Sequence, residues 1–365
     1  MNIQKVKDRQ ELDKKSCFIC HGMWTALSII SCRTCPPPRC SNMQEIMRLF
    51  FSWLLAEGLA HGSSIREIEL TDLENLHMEN VDSFRSFLAT RKDHGNAKVT
   101  IIRKLSSLRS LFHYLSQIAE DENFYPLLKR NVMAKVEIKR TNKAKDQASK
   151  LEGKLLQESE IVEFIDYIRS GYEADIADNK QALYAFEQNK YRDACIVSLI
   201  LHSGLRVSEV VNMTVDDLDM KKRTVYVYRK GNNDGSFKTR VFFRQEALTD
   251  LQRYLELRNT TYKPPKKGKK ALFLTVPNGK KEGRMMSKRA IQEMVIKYAK
   301  RFGKPYLSVH KLRHSFATDY YLQNDLYKTQ EQLGHASSDT TQIYAHLTDK
   351  TMAEAINNRK EEQVK

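Results

Sequence analysis

Apolar residues recur at helical spacing in the first third of the chain. Between residues 43 and 54 they follow the i, i+3, i+4 pattern, which predicts a helix with one buried face. Ser41 and Gln44 have the spacing of a capping box at its start, and Gly58 is placed to end it. The pattern therefore predicts a first helix beginning at Ser41.

Two more amphipathic helices follow in the same region. One is predicted to begin at Thr71, with Glu74 three residues later, and to bury apolar residues between positions 81 and 88. The next has an apolar face from residue 101 to 115. Four basic residues remain for the outward side of this small helical domain: Lys98, Arg103, Lys104 and Arg109. A solvated helix face explains these residues as well as a binding surface does.

A polar, basic stretch over residues 139–154 lacks apolar periodicity, which indicates a linker. Helices are then predicted near Glu158 to Arg169 and near Glu187 to His202, where Gly204 breaks the pattern. The stretch 139–154 therefore separates the first helical domain from a second domain.

A hairpin is predicted after Gly204. Residues 224–229 alternate as a strand, residues 233–235 have turn chemistry and residues 240–243 return. Residues 271–276 have the composition of a third strand. Three helical segments then begin at the following positions: Ser287, Val309 and Ser338.

These elements predict a mainly α (α+β) fold in which a helical domain precedes a larger, mostly helical domain with a small antiparallel sheet. The predicted divisions are a divergent leader over 1–40, a helical domain over 41–138, the linker 139–154, the second domain over 155–350 and a charged tail over 351–365.

The positive net charge of the protein indicates which kinds of partner it binds. Lys and Arg number 61 against 45 acidic residues, a formal net charge of +16, which favours a polyanion through counterion release. Nucleic acid is the first expectation, with an anionic membrane surface second. The sequence has no apolar run of the ~20 residues that span a bilayer and no signal-peptide core. We therefore expect a soluble, cytoplasmic protein.

Five of the six cysteines lie in the leader: Cys17, Cys20, Cys32, Cys35 and Cys40. Their two Cys-x2-Cys pairs have the spacing of a Cys₄ zinc site. A fifth cysteine intrudes, however, and the stretch between the pairs lacks polar turn residues. The sequence therefore favours a divergent leader, or an altered reading frame, over a zinc site.

Four short motifs in the second domain carry polar residues suited to phosphate chemistry: LHSGLRVSEV with Arg206, YRKG with Lys230, HKLRHSFAT with His310 and Arg313, and LGHASSDTTQIYAH with His335 and Tyr344. Each residue alone has an ordinary structural explanation, such as an ion pair or core packing. Their joint order and spacing resemble the catalytic domain of the tyrosine recombinase, or phage integrase, family.

Attack on a phosphodiester builds negative charge on the non-bridging oxygens, and guanidinium groups match those oxygens bidentately. Arg206 and Arg313 suit this clamp. His310 lies three residues before Arg313, so both project to one side of a helix and can reach the same phosphate. A tyrosine hydroxyl with a pKa near 10 is only about 0.1% ionised at neutral pH and needs an acceptor or positive charge beside it.

The resemblance implies the remaining roles. Tyr344 is the expected nucleophile, His335 belongs to the phosphate site, Glu209 orients Arg206, and Lys230 is the general acid that protonates the leaving 5′ oxygen. Lys222 and Lys238 lie nearby in the sequence and leave the assignment of the acid open. The covalent phosphotyrosine stores the ester energy, so the scheme requires no metal, nucleotide or other cofactor.

The first domain, from FFSWLLAEGL through SSLRSLFHYL to RNVM, resembles the SAM-like core-binding domain of these enzymes, and with the catalytic domain it would form a clamp round double-stranded DNA. The segments NKYRDACIVSLILHSGLRVSEVVN and ALFLTV are similar to the group that resolves chromosome dimers in streptococci at cell division. That resemblance implies a tetramer on DNA, a tail that docks on a neighbouring protomer, and a septal DNA translocase of the FtsK type as a partner.

Three other functions remain open on the sequence alone. An integrase of a mobile element would use the same chemistry at different sites, and the neighbouring genes would distinguish it. A type IB topoisomerase would relax supercoiled DNA without a recombinant product. A DNA-binding protein that has lost cleavage would form no covalent adduct.

Overall fold

The computed structural model describes residues 37–90, 96–138, 144–229, 237–266, 268, 270–279, 281–335 and 341–347. The chain divides between Thr141 and Asn142 into two compact units. Helices dominate both, and a small antiparallel sheet lies in the second unit, which confirms the predicted fold class. None of the described helices is both long and apolar enough to cross a bilayer.

The first unit is helical. Its α-helices are α1 (Pro37–Ala56), α2 (Leu70–Glu74), α3 (Met78–Thr90) and α4 (Lys98–Gln117). Aromatic rings dominate the core: the Phe50 and Phe84 centroids lie 5.0 Å apart in an edge arrangement, and Phe112 packs against Phe50 at 6.3 Å. Such rings bury large apolar areas. The predicted apolar faces of α1 and α4 are therefore the faces that form this core.

The predicted start of the first helix is wrong. Helix α1 begins at Pro37, so Ser41 lies inside it. Prolines fit the first turn, because their missing N–H has no intrahelical partner there and their φ is already helical. The helix ends at Ala56, and Gly58 follows with a φ of +68°, in agreement with the predicted stop.

The second predicted helix is two helices. The backbone N–H of Glu69 donates to the Asp72 carboxylate at 3.0 Å, which starts α2 before Thr71. Helix α2 ends at Glu74. His77 precedes α3, and its backbone N–H donates to the Asn80 side chain at 2.7 Å, which caps the start of that helix. Side-chain caps thus interrupt a pattern that looked continuous.

The described residues of the second unit form eight α-helices of six or more residues with defined ends. They are α5 (Ala144–Leu151), α6 (Glu158–Arg169), α7 (Lys180–Ser203), α8 (Val207–Asn212), α9 (Gln245–Thr261), α10 (Lys288–Arg301), α11 (Val309–Gln323) and α12 (Leu326–Leu333). A further helical segment covers residues 341–347. Helix α7 is central: α6, α9 and α11 pack against it. Its final half is buried all round, as expected of a helix surrounded by others.

Three strands, in the order β1 (Leu218–Asp219), β2 (Thr224–Val227) and β3 (Thr239–Phe242), form the antiparallel sheet. Val225 pairs with Val241 in the hairpin, which agrees with the sequence prediction. The predicted strand over 271–276 is wrong, since only isolated bridges occur there. That apolar segment is buried against the core instead, and β1 occupies the third place in the sheet.

Helices α5, α9 and α12 were not predicted. Helix α5 lies inside the stretch expected to be a linker and buries only Ala148, so it has almost no apolar periodicity to detect. The N-terminal start of α12 depends on Asp325, whose carboxylate accepts a hydrogen bond from the Lys328 backbone at 2.7 Å. Caps and helix propensity, rather than apolar spacing, define the short helices α5 and α12, whereas α9 buries Ala247, Leu251 and Tyr254 at helical spacing and was simply missed.

Candidate active site

Arg206 stands where α7 gives way to α8. Gly204 ends α7 in the left-handed conformation, with a φ of +70°, a region that glycine enters without the steric cost of a Cβ. Arg206 is the N-cap of α8, and its backbone N–H donates to the Glu209 carboxylate at 2.8 Å. Its guanidinium donates to the same carboxylate at 2.9 Å and to the Gly334 carbonyl at 2.9 Å. Two separate elements therefore fix the orientation of this guanidinium.

Arg313 projects from α11 and is only 3% exposed. Its guanidinium donates to the Gly204 carbonyl, to the Leu333 carbonyl at 2.7 Å and to Nε2 of His335 at 3.2 Å. Burial, followed by the charge of Arg206, lowers the pKa of Arg313 to about 10. The group remains a cation at neutral pH and is positioned by neutral acceptors, so its charge is left for an anionic ligand.

His335 follows α12, whose C-cap Gly334 is left-handed with a φ of +60°. Because its Nε2 accepts from Arg313, a neutral ring carries its proton on Nδ1, which lies 3.0 Å from the Thr341 hydroxyl. Burial, followed by Arg313 and Arg206, lowers the pKa of His335 to about 3. The ring is therefore neutral in the DNA-free protein and connects Arg313 to the segment 341–347.

Tyr344 lies on that segment and is completely buried, at 0% exposure. It packs with Phe316, Ala317 and Leu333 in a small cluster. Burial raises the pKa of its hydroxyl to about 12, although the nearby arginines act in the opposite direction. The hydroxyl is thus protonated at neutral pH, and it is hydrogen-bonded to Nδ1 of His314 at 2.9 Å.

His310 and His314 lie one turn apart on α11, and their Nε2 atoms are 3.0 Å apart. His310 is exposed, whereas His314 is 8% exposed. Partial desolvation, followed by Arg313 and Arg206, lowers the pKa of His310. The sequence reasoning missed His314. Its i, i+4 spacing from His310 was the available signal, since such residues share a helix face.

Lys230 lies outside the described residues. Its neighbour Arg229, which the sequence reasoning also missed, donates to the backbone carbonyls of Glu331 at 2.8 Å and Gln332 at 2.5 Å. Arg229 therefore fastens the end of the β2 hairpin to the end of α12. Of the two alternative lysines, Lys238 forms an ion pair with the buried carboxylate of Asp217.

The basic residues of the first unit differ in exposure. Lys98 and Arg103 are exposed, and Lys104 is half-buried. Arg109 does not face outward as expected: it is half-buried and donates to the Val136 carbonyl. The chain that follows α4 folds back to supply that acceptor, which helical spacing alone does not reveal.

Cys17, Cys20, Cys32 and Cys35 of the leader also lie outside the described residues, whereas Cys40 belongs to α1. Cys195 is fully buried on α7, and burial raises the pKa of its thiol, so it is a core residue. The described part of the chain contains no group of three or more His, Cys, Asp or Glu side chains placed to hold a metal ion.

Two arginines, three histidines and a tyrosine thus meet in one helical unit, with His335 bonded to Arg313 and His314 bonded to both His310 and Tyr344. Comparison with known proteins agrees with this arrangement. Residues 174–351 match the phage integrase family, and residues 61–117 match the phage integrase N-terminal SAM-like domain.

The similar proteins include the tyrosine recombinase XerS of Lactococcus lactis subsp. cremoris (strain MG1363), 36% identical over 85% of this chain and 86% of that protein. XerS of Streptococcus thermophilus (strain CNRZ 1066) is 33% identical over 92% of this chain and 95% of that protein. The chain belongs to the phage integrase family of tyrosine recombinases. It is a site-specific DNA recombinase of the XerS-like kind.

Two solved structures support the same fold. The XerH recombinase, in a post-cleavage complex with a palindromic difH substrate, has a TM-score of 0.59 at 21% identity, covering 85% of this chain and 76% of that one. The Tn1549 transposon integrase, in complex with a circular intermediate DNA, also has a TM-score of 0.59, at 16% identity, covering 90% and 95% respectively.

Proposed function

We propose that Tyr344 is the nucleophile of this recombinase and that Arg206, Arg313, His310 and His335 surround the phosphate it attacks. The tyrosine oxygen bonds to phosphorus as the bond to the 5′ oxygen breaks, which leaves a 3′-phosphotyrosyl intermediate. A 5′ hydroxyl from another strand reverses the step, so the phosphotyrosine itself supplies the energy for rejoining.

The observation that carries this proposal is the set of hydrogen bonds that holds both arginines at the ends of α7 and α12. Arg313 donates to the carbonyl of Gly204, and Arg206 donates to that of Gly334. Both guanidinium groups are therefore held in place before DNA arrives. Preorganised charge of this kind stabilises a pentavalent phosphate, because no reorganisation is needed during the reaction. Glu209 orients Arg206 and takes no part in bond making.

Lys230 is the proposed general acid for the leaving 5′ oxygen. Arg229 precedes it directly in the sequence and donates to the end of α12, the helix that His335 follows. The ion pair of Lys238 with Asp217 makes that lysine a poorer alternative, because its ammonium group is already engaged by a carboxylate.

The proposed substrate is double-stranded DNA carrying a short, partly palindromic site. Exposed Lys98 and Arg103, with Lys104, would contact phosphates through the first unit. The proposal includes the division of the chain into a leader, a core-binding domain, a linker, a catalytic domain and a tail. The tail, over 351–365, docks on a neighbouring protomer. The two domains close round the duplex.

The proposed biological role is chromosome dimer resolution at cell division in a bacterial cytoplasm. The XerS names of similar proteins over most of the chain support it. In this role four copies of the chain synapse two sites, and a septal DNA translocase of the FtsK type controls the reaction. An inverted repeat of the resolution type beside the gene would support it, whereas neighbouring genes of a mobile element would favour an integrase.

A suicide substrate tests the chemistry. Such DNA carries a nick beside the cleavage point, so the short fragment with the free 5′ hydroxyl diffuses away and the adduct accumulates. With the inverted repeat found beside the gene, wild-type protein should form a covalent adduct resistant to denaturant, and Tyr344→Phe should form none while binding DNA within about threefold of wild type. An adduct in Tyr344→Phe would show that another residue attacks, and no adduct with wild-type protein would contradict the proposal.

A further inference from the structure

His314 lies between a buried hydroxyl and an exposed imidazole. Its Nδ1 is 2.9 Å from the Tyr344 hydroxyl, and its Nε2 is 3.0 Å from Nε2 of His310. The rings of His310 and His314 are 4.3 Å apart. Both ring nitrogens of His314 are thus engaged, one with the nucleophile and one with a ring that reaches solvent.

The hydrogen bonds that link Tyr344, His314 and His310 restrict which of their atoms can carry a proton. Burial, followed by the charges of His310 and Arg313, lowers the pKa of His314 to about 3, so the ring is neutral and holds one proton. Two facing Nε2 atoms can share only one proton between neutral rings. One arrangement has Tyr344 donating to Nδ1 of His314 and Nε2–H of His314 donating to His310.

Among the described residues, the polar groups that act on the hydroxyl besides His314 are poor proton acceptors. Arg206 and Arg313 are cations, and a guanidinium has no lone pair to offer. Nε2 of His335 already accepts from Arg313, and its Nδ1 proton faces the Thr341 hydroxyl. The His335 ring stacks on Tyr344 with centroids 6.3 Å apart, but His314 is the imidazole that is hydrogen-bonded to the hydroxyl, and His310 is the one that reaches solvent.

We infer that His314 is a catalytic residue that carries the proton of Tyr344 to His310 as the tyrosine attacks DNA. This inference rests on the proposed function, in which Tyr344 is the nucleophile. The tyrosine O–H bond breaks and its proton binds Nδ1 of His314, while the Nε2–H bond of His314 breaks and that proton binds Nε2 of His310.

Each electron pair in this step moves from a breaking bond to a new bond or onto the leaving oxygen. The pair released on the phenolic oxygen forms the bond to phosphorus, and the pair of the breaking P–O bond leaves with the 5′ oxygen, which takes a proton from the general acid. His310 becomes an imidazolium ion beside the phosphate. In rejoining, the 5′ hydroxyl returns its proton to the deprotonated general acid, Lys230, and the proton on His310 returns through His314 to the tyrosine oxygen.

Two substitutions separate proton transfer from simple packing. In His314→Asn, the side-chain amide can still accept a hydrogen bond from Tyr344 near the former Nδ1 position, but it cannot relay a proton to His310. We expect single-turnover adduct formation to slow by about 100-fold or more in both His314→Asn and His314→Ala. Added imidazole should partly restore the rate of His314→Ala, because it can fill the vacated volume and accept the proton.

A second substrate identifies which proton transfer is lost. Replacing the bridging 5′ oxygen by sulfur gives a leaving group that departs without a proton. This substrate should rescue Lys230→Ala, which lacks the proposed general acid, and should leave His314→Asn slow. A matched control is His202→Asn, another buried histidine, on α7 and hydrogen-bonded to Ser198. It should form the adduct at a rate near that of wild type.

The inference is overturned if His314→Asn forms the adduct as fast as wild type or faster, or if the sulfur substrate restores its rate. Both outcomes leave the nucleophile assignment intact, provided that wild-type protein forms the adduct and Tyr344→Phe does not. Absence of an adduct with wild-type protein overturns the proposed function and this inference together. Melting temperatures near that of wild type for His314→Asn establish that a slow rate reflects chemistry.

Discussion

Glu209 accepts two hydrogen bonds from Arg206, one from its backbone N–H at 2.8 Å and one from its guanidinium at 2.9 Å. The same carboxylate therefore starts α8 and aims a phosphate-binding side chain. Glu209 is only 4% exposed, so solvent cannot replace it as a partner. This contact explains how an acidic residue can support a site whose task is to bind an anion.

Replacing Glu209 with Ala should slow adduct formation by about 10- to 100-fold, because Arg206 loses the group that orients it. A single-turnover assay with the suicide substrate measures this. Glu160→Ala is the matched control: Glu160 caps α6 through the same hydrogen bond, from the Gln157 N–H at 2.9 Å. The Glu160→Ala substitution should lower the free energy of unfolding by about 1 kcal/mol and leave the rate of adduct formation unchanged. Equal rates for the two variants would contradict the orienting role.

Gly204→Ala should destabilise the second unit by about 2 to 4 kcal/mol. A Cβ at Gly204 would lie 2.5 Å from the Phe316 ring and 2.8 Å from Leu333, in a left-handed backbone with a φ of +70°. Gly153→Ala isolates the backbone contribution, since Gly153 has a φ of +65° and open space around it. It should cost about 1 kcal/mol. Urea denaturation measures both, and equal costs would show that packing at Gly204 is unimportant.

Acid should destabilise the second unit through His314 and His335. Their pKa values fall from an ordinary 6.5 to about 3 in the folded protein, so below pH 6.5 the unfolded chain binds more protons than the native state. The stabilisation is complete above 6.5 and is lost progressively as pH falls towards 3. Between about pH 7.5 and pH 5, each histidine should account for a loss of about 1 to 2 kcal/mol.

His314→Asn should therefore lose less stability than wild type over that pH range. Both tryptophans, Trp24 and Trp53, belong to the first unit, so unfolding of the second unit is followed by far-UV circular dichroism rather than tryptophan fluorescence. His77→Asn is the control, because His77 is exposed and lies in the first unit. If His314→Asn and wild type lose the same stability, His314 is not the source of the pH dependence.

DNA binding should weaken with salt as phosphate contacts release counterions. If exposed Lys98 and Arg103 contact phosphates, replacing either with Ala should reduce the slope of log K against log salt by about 1. Arg109→Ala should leave the slope unchanged and lower stability, because its guanidinium donates to Val136 within its own unit. Fluorescence anisotropy at several salt concentrations measures the slopes, and a reduced slope for Arg109→Ala would restore it as a DNA contact.

The sequence predicted the features whose causes are local. The hairpin containing Val225 follows from strand alternation and turn residues, and the spacing of His310 and Arg313 follows from one helix. It did not predict contacts that depend on distant chain segments. Arg229 binds carbonyls about a hundred residues away, and Arg109 binds one on a returning loop. Only tertiary packing brings those acceptors close.

Dependence on tertiary packing also explains why His314 was not predicted. The sequence indicated a phosphate-binding face on α11 from its neighbours, whereas the proposed role of His314 depends on its hydrogen bond to Tyr344, thirty residues further along the chain. Neither hydrophobic spacing nor motif order identifies a hydrogen bond between two buried side chains. The roles of Arg206, Lys230, His310, Arg313, His335 and Tyr344 stay predictions until the variants are assayed.

A protein that breaks DNA must not do so at every phosphate that it touches. The phenol of Tyr344 lies in a small apolar cluster with Phe316 and Leu333, separate from the large core around α7. A short segment can shift within so small a cluster at far lower cost than global unfolding. On the proposed mechanism, the hydroxyl can therefore reach a bound phosphate while its hydrogen bond to His314 still provides the path for its proton.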